Sequence, residues 1–227
     1  MLTAKERYES FIKNTLTPFF KSKGFKKKGT KYIFYGKELA YVFFPLRGKY
    51  TDRDHVYFSI YFELHSTTFE NKQDLNSYVF TLVAGSISDF IKNRKIGYDT
   101  FKTGEEDAEK KDKEIAEYFL DSLENDVLPY VLKFQTIQDI IHLLETTPEK
   151  ERFWAGAVFT NRVPFLYWFL GEKEKAVHCV NNLIEGINTR VKAPSLREGV
   201  FKNLSEMKER IIKGPDRYIR ENESSVV

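Results

Sequence analysis

Tyr32-Ile33-Phe34-Tyr35, then Leu39-Ala40-Tyr41-Val42-Phe43-Phe44, then Val56-Tyr57-Phe58-Ser59-Ile60-Tyr61-Phe62-Glu63-Leu64 are the runs that decide the fold class of this chain. Each is dense in aromatic and β-branched residues, whose bulk suits the pleated surface of a sheet. The Gly36-Lys37 link is short enough for a hairpin. Pro45, which has no N–H to give to a ladder, ends the second run, and the polar stretch from Arg47 to Asp54 is a longer loop. The three runs predict successive antiparallel strands.

Upstream of the strands, Thr3-Ala4-Lys5-Glu6 has the form of a capping box, in which hydroxyl and carboxylate each satisfy a free N–H at a helix start. Tyr8, Phe11, Ile12, Leu16, Phe19 and Phe20 then recur at the helical period. Gly24 is the expected stop, and Pro18 is expected to kink the last turns. Downstream, Leu75, Val79, Leu82, Val83, Ile87, Phe90 and Ile91 return to helical spacing and predict a second long helix over the sheet. Gly97 to Phe101 is read as a short edge strand. Thr103-Gly104-Glu105-Glu106 reads as another capping box, opening a charged helix that carries Ile115, Phe119, Leu120, Leu123 and Val127. Pro129 marks a break, followed by a short helix with Ile137, Ile140, Ile141 and Leu144.

Thr147-Pro148 reads as a cap with proline in the first helical position, opening an all-helical remainder. There the run from Phe165 to Leu170 enters Gly171-Glu172-Lys173, a turn that joins two helices. The turn resembles that of tetratricopeptide repeats, but no second copy lies about 34 residues away, so a solenoid is not expected. Ser195-Leu196-Arg197-Glu198 is read as the cap of a last helix, which Gly214-Pro215 stops before a polar tail. The expectation is an α+β protein: an N-terminal helix, an antiparallel β-meander of three or four strands, packed helices, and an all-helical C-terminal region. The divide falls between residues 1–147 and 148–227.

Composition narrows the classes. In 227 residues, 41% are hydrophobic and 15% aromatic, enough apolar surface for a real core, which excludes global disorder. Cys179 is the single cysteine and has no internal disulfide partner. The start lacks the apolar stretch of a secretory signal, and nothing approaches the roughly 18 uninterrupted apolar residues of a spanning helix, so a cytoplasmic, non-membrane protein is expected. Charge is uneven: net +9 over residues 1–53, −9 over 54–147 and +3 over 148–227.

Lys21, Lys23, Lys26, Lys27, Lys28 and Lys31, interleaved with Phe25, Tyr32 and Phe34, suit phosphates with aromatics stacking on bases. The competing and preferred reading is structural: lysines complement the C-terminal end of the first helix, Phe25 packs as a capping contact, and no nucleic-acid-binding signature is present. Glu105, Glu106, Asp107, Glu109, Asp112 and Glu114 supply the oxygen ligands of a divalent metal, yet acids in a first helical turn answer the helix dipole more simply. His178 and Cys179 are adjacent on a helix and so point apart, which disfavours zinc or a catalytic dyad and leaves a buried structural cysteine. His55 and His65 flank the third strand and are expected near one rim of the sheet. No phosphate-cradling loop, nucleophile elbow or cofactor signature occurs.

Gly24-Phe25-Lys26-Lys27-Lys28-Gly29 followed by Thr30-Lys31-Tyr32-Ile33-Phe34-Tyr35 resembles the start of the bacterial family called domain of unknown function 4304 (DUF4304). Val127-Leu128-Pro129-Tyr130-Val131-Leu132-Lys133-Phe134 is similar to a Leu-Pro-aromatic segment of that family, and the likeness spans roughly residues 5–145. It implies a fold and a bacterial origin, and it carries over no catalytic residue.

These observations point to a non-catalytic protein-interaction or accessory protein, of immunity type among others. Lys26, Lys27 and Lys28 and the acidic run from Glu105 to Glu114 are its candidate contact surfaces, because segregated charge orients a partner. Nucleic-acid binding through the basic front, with Lys31 added, is the alternative. An enzyme with a dispersed pocket around His55 or His65 is the third reading; no catalytic residue, metal or cofactor is assigned.

Overall fold

The computed structural model describes residues 2–67, 81–87, 99–147, 163–191 and 193–216. Helix α1 (Ala4–Phe11) starts at the predicted capping box: Glu6 N–H donates to Thr3 Oγ1, and Thr3 N–H donates to Glu6 Oε2 at 2.8 Å. A π turn (Ile12–Leu16) and helix α2 (Thr17–Ser22) continue it without interruption. At the place of the expected kink the helix widens by one residue. Pro18 has no N–H and its ring crowds the carbonyl four residues back. The turn before it relaxes, so that Thr17 N–H reaches Ile12 O, and the Thr17 hydroxyl donates to the same carbonyl at 2.7 Å.

Gly24 ends α2 with φ +85, a conformation only glycine adopts without strain. Phe25 N–H donates to Phe20 O and Gly24 N–H to Lys21 O, the paired bonds of a Schellman cap. The rings of Phe20 and Phe25 pack 5.2 Å apart over it, the capping contact expected of Phe25.

An antiparallel sheet comes next, wider than the expected meander: β1 (Lys26–Lys28), β2 (Lys31–Tyr35), β3 (Leu39–Arg47), β4 (His55–Ser66), β5 (Thr81–Ser86) and β6 (Asp99–Lys102). The first five lie side by side in chain order, and β6 also pairs with β4. Phe58 is the partner of Arg47 in β3 and of Asp99 in β6, so β5 and β6 sit end to end along the edge of β4 opposite β3. β6 realises the predicted edge strand. β5 overturns a helix: Leu82 and Val83 have helical spacing with their distant neighbours, but locally they belong to Thr81–Ser86, which ladders onto Tyr61–His65. Ile87 is buried just past β5; Leu75, Val79, Phe90 and Ile91 of that predicted helix, the Thr147-Pro148 cap beyond Thr147 and the polar tail beyond Asp216 lie outside the described residues.

Helix α3 (Ala108–Ser122), a second π turn (Leu123–Val127) and helix α4 (Leu128–Leu132) repeat the device seen at Pro18. Leu128 N–H bonds Leu123 O just before Pro129, so the expected break at that proline is a continuous helical stretch. The α1 and α3 helices share one face of the sheet. Phe58 and Phe101 stack at 5.4 Å, with Tyr8, Phe11 and Phe119 closing over them. A second aromatic group forms where Phe20 stacks on Tyr32 at 4.6 Å beside Phe43.

Helix α5 (Ile137–Thr146) has its first N–H bonded by Glu38 Oε2 at 3.0 Å. Asp139 accepts from Gln135 and Thr136 N–H. The chain divides into two compact units, one reaching Asp139 and one holding the described residues from Ile140 onward. In the second, α6 (Val163–Phe169) and α7 (Lys173–Glu185) form the predicted helical pair, and α8 (Ile187–Arg190) leads to α9 (Pro194–Lys213). Leu183, Ile187 and Leu204 form one apolar cluster in it, with Cys179 half-buried at the margin, less enclosed than the sequence suggested. Trp168 Nε1 donates to Pro215 O at 2.7 Å and Tyr167 Oη to Glu145 at 2.5 Å. The predicted cap at Ser195 is not used, since α9 starts at Pro194 without a side-chain cap.

The second predicted box, at Thr103, is not used either, and the reason is Arg7. Thr103 Oγ1 accepts from Ala4 N–H instead, and α3 begins five residues later. Arg7, 2% exposed, donates from Nε and Nη2 to Asp112 Oδ1, from Nη1 to Glu105 Oε2 and Lys102 O, and from Nη2 to Ala108 O. Its guanidinium lies 5.4 Å from the centre of the Phe101 ring. Replacing Arg7 by Ala leaves Asp112 and two carbonyls without this donor and Glu105 with Lys111 alone, and is expected to cost about 3 kcal/mol of stability, read as a lower urea midpoint. Arg7→Lys is expected to restore little, because one ammonium cannot serve the fork of acceptors.

Candidate functional site

The sheet has a second face. Alternation along β4 sends Val56, Phe58, Ile60, Phe62 and Leu64 toward the helices, and His55, Tyr57, Ser59, Tyr61, Glu63 and His65 to the other side. Polar side chains buried on that outer face form two groups. Ser59 Oγ and Ser86 Oγ are 2.7 Å apart. Farther along, His65 Nε2 lies 3.0 Å from Glu63 Oε2, and Lys31 Nζ lies 3.7 Å from the same oxygen.

The register explains how Lys31 gets there. Lys31 precedes Tyr32, the partner of Phe43, so it stands beside Phe44 on β3; its ammonium crosses that ring at 5.4 Å from the centroid to reach β4. Val42, the partner of both Ile33 and Glu63, forms with Ile33 and Phe44 a small apolar cluster beneath the charges. Thr81, the Cα partner of His65 at a bulge in the β4–β5 ladder, is buried, and its Oγ1 has no hydrogen-bond partner among the described residues. Burial alone would raise the Glu63 carboxyl, but the His65 hydrogen bond and charge, with Lys31 behind them, hold it below the usual 4.5.

Chemically this is a carboxylate clamped between an imidazole and an ammonium. His65 is 1% exposed, so a substrate does not meet its ring. Ser59 stands six residues from His65 on one strand, about 20 Å away, so these two do not form a relay. Among the described residues no group of His, Cys, Asp and Glu is placed to hold a metal ion.

The lysines sort by side. Lys27 is the partner of Tyr32 and turns to the helix face, where Nζ donates to Thr17 Oγ1 at 3.2 Å and lies over the Tyr32 ring. Lys26, partner of Ile33, and Lys28, partner of Lys31, turn to the outer face and are exposed. Lys26, Lys28 and Lys31 therefore form one basic group, and Lys31 joins it to Glu63 and His65. His55 does not belong to it. It stands ten residues from His65, about 33 Å along the same strand, beside Asp52 at 3.2 Å. The two histidines mark opposite ends of β4 and not one rim.

The acidic run is partly consumed. Glu105 and Asp112 hold Arg7, and Lys111 adds a second ion pair to Glu105. Lys23 pairs with Glu124. Glu63 and Ser59 are the site residues that sequence reading passed over, although the polar–apolar alternation of His55–Ser66 places both on the face of His65.

No family model matches the chain, and no curated protein or solved structure matches it.

Because the folded Glu63 carboxyl ionises below its ordinary value, it stabilises the fold above pH 4.5 and loses that contribution as pH falls through the folded pKa. Urea midpoints measured from pH 7 downward should therefore fall below about pH 4.5, and Glu63→Gln should flatten part of that fall while lowering stability at neutral pH. An unchanged profile in Glu63→Gln would show that the clamp does not couple to folding.

Proposed function

We propose that this is a cytoplasmic, non-catalytic accessory protein that engages an acidic protein partner through the β1–β2 hairpin. The observation that carries the reading is the register of that hairpin. Lys28 stands directly opposite Lys31, and Lys26 follows on the same side. Like charges facing each other across a ladder destabilise it, and an anionic partner relieves that cost. Among the described residues neither Lys26 nor Lys28 has an ion pair, whereas Lys23, Lys31 and Lys111 do.

Protein is favoured over nucleic acid because two of the three interleaved aromatics are unavailable for stacking, and the third, Phe34, is half-buried. Tyr32 is 0% and Phe25 3% exposed, packed around Phe20 on the helix face. The same Gly24–Gly29 cap and hairpin carry the resemblance to the family called domain of unknown function 4304, and we take the chain as its bacterial relative. An immunity-type role fits a protein that presents charge to a partner and encloses its His65–Glu63 pair.

Fluorescence anisotropy with labelled polyglutamate as the acidic probe tests this. At about 50 mM salt, saturable binding is expected, weakened about tenfold or more by the pair Lys26→Glu and Lys28→Glu and falling with added salt. Single-stranded DNA and RNA run alongside. Tighter binding of either one, with a steep salt slope, hands the surface to nucleic acid and overturns the reading.

A further inference from the structure

The same hairpin exposes more than charge. β1 is the last strand of the sheet and pairs with β2 alone among the described residues. Gly29 has φ +60 and Thr30 is not positive, so Gly29-Thr30 is the two-residue turn with glycine in its first central position. In such a turn the Lys31 N–H donates to the Lys28 carbonyl, which makes Lys28 and Lys31 a hydrogen-bonded pair. Pairs alternate along an antiparallel ladder, so Lys27 and Tyr32 form the next, non-bonded pair. The N–H and C=O of Lys27 therefore point away from β2, into the open edge. The Lys27 side chain is drawn back onto Thr17 and leaves that edge clear.

Lysine on an edge strand repels most other edges. A second copy of β1 is rejected outright, since lysines would face lysines. The edge accepts a strand of opposite pattern. In an extended chain, alternate side chains lie on one side about 7 Å apart, the spacing of Lys26 and Lys28.

We infer that β1 takes an extended acidic segment of another protein as an added strand. The backbone of Lys27 supplies the main-chain bonds, and Lys26 and Lys28 pair with acids at alternate positions. This rests on the interaction reading above and specifies its mode.

The test is an anisotropy titration of a labelled ten-residue peptide that alternates Glu and Thr, against the full chain and two variants. Lys27→Ala keeps the N–H and should bind within about twofold of the parent. Lys27→Pro removes a donor that β2 does not use, a replacement that edge strands tolerate, and should weaken binding about tenfold, as for one lost hydrogen bond. Melting curves check that it folds. Should it not fold, two peptides N-methylated on alternate amides replace it, and one of the two should lose binding to the unchanged protein by a similar factor.

If Lys27→Pro and both methylated peptides bind like their parents, while Lys26→Glu with Lys28→Glu does not, the contact is electrostatic only. Strand addition is then wrong and the interaction reading stands. If the unmodified peptide and polyglutamate both fail to bind the unchanged protein, both fall.

Discussion

The first unit is organised around a buried cation. Arg7 draws its five N–H groups to two carboxylates and two carbonyls, and those acceptors come from β6, the loop after it and α3. Burying a guanidinium costs several kcal/mol unless every donor is met, so the arrangement tolerates little slack. It fixes where α3 starts, because Ala108 O and Asp112 are both in use. It holds β6 beneath α1, where Phe101 completes the aromatic group around Phe58. Glu105 is held ionised against burial by Lys111 and Arg7 together, so the clasp stays charged well below neutral pH.

That clasp also explains where sequence reading stopped. The box at Thr3 is local, with both partners within four residues, and it forms as read. The box at Thr103 has the same spelling, yet Thr103 and Glu105 answer Ala4 and Arg7, about a hundred residues away in the chain. No window along the sequence contains that competition. The β2, β3 and β4 runs were legible because their composition and their period agree. β5 was not, because Leu82 and Val83 extend a helical period begun at Leu75, and the ladder with Tyr61–His65 outweighs it.

The outer face was half legible. Lys26, Lys27, Lys28, Lys31 and His65 are visible as residue types, but their sides depend on register. A one-residue slip in the β1–β2 pairing would send Lys27 out and Lys26 and Lys28 in. Glu63 matters only once Lys31 is seen to cross Phe44 toward it. His55 and His65 look alike in sequence and differ in everything that burial controls.

The two π turns have a meaning for how such a chain changes over time. Each adds one residue to a helical circuit, about 100° of rotation between the helix before it and the helix after it. In the first stretch, Tyr8 and Phe11 meet Phe58 and Phe101, while Phe20 beyond the turn meets Tyr32 and Phe43. One continuous rod therefore addresses two patches of the sheet with different phases. A single-residue deletion within Ile12–Leu16 would tighten the coil to ordinary pitch and re-aim everything after it, whereas the same deletion in the loop Gly48–Asp54 would cost only slack. Length variation in relatives of this protein should therefore gather in its loops and leave both proline-bearing rods with an unchanged residue count.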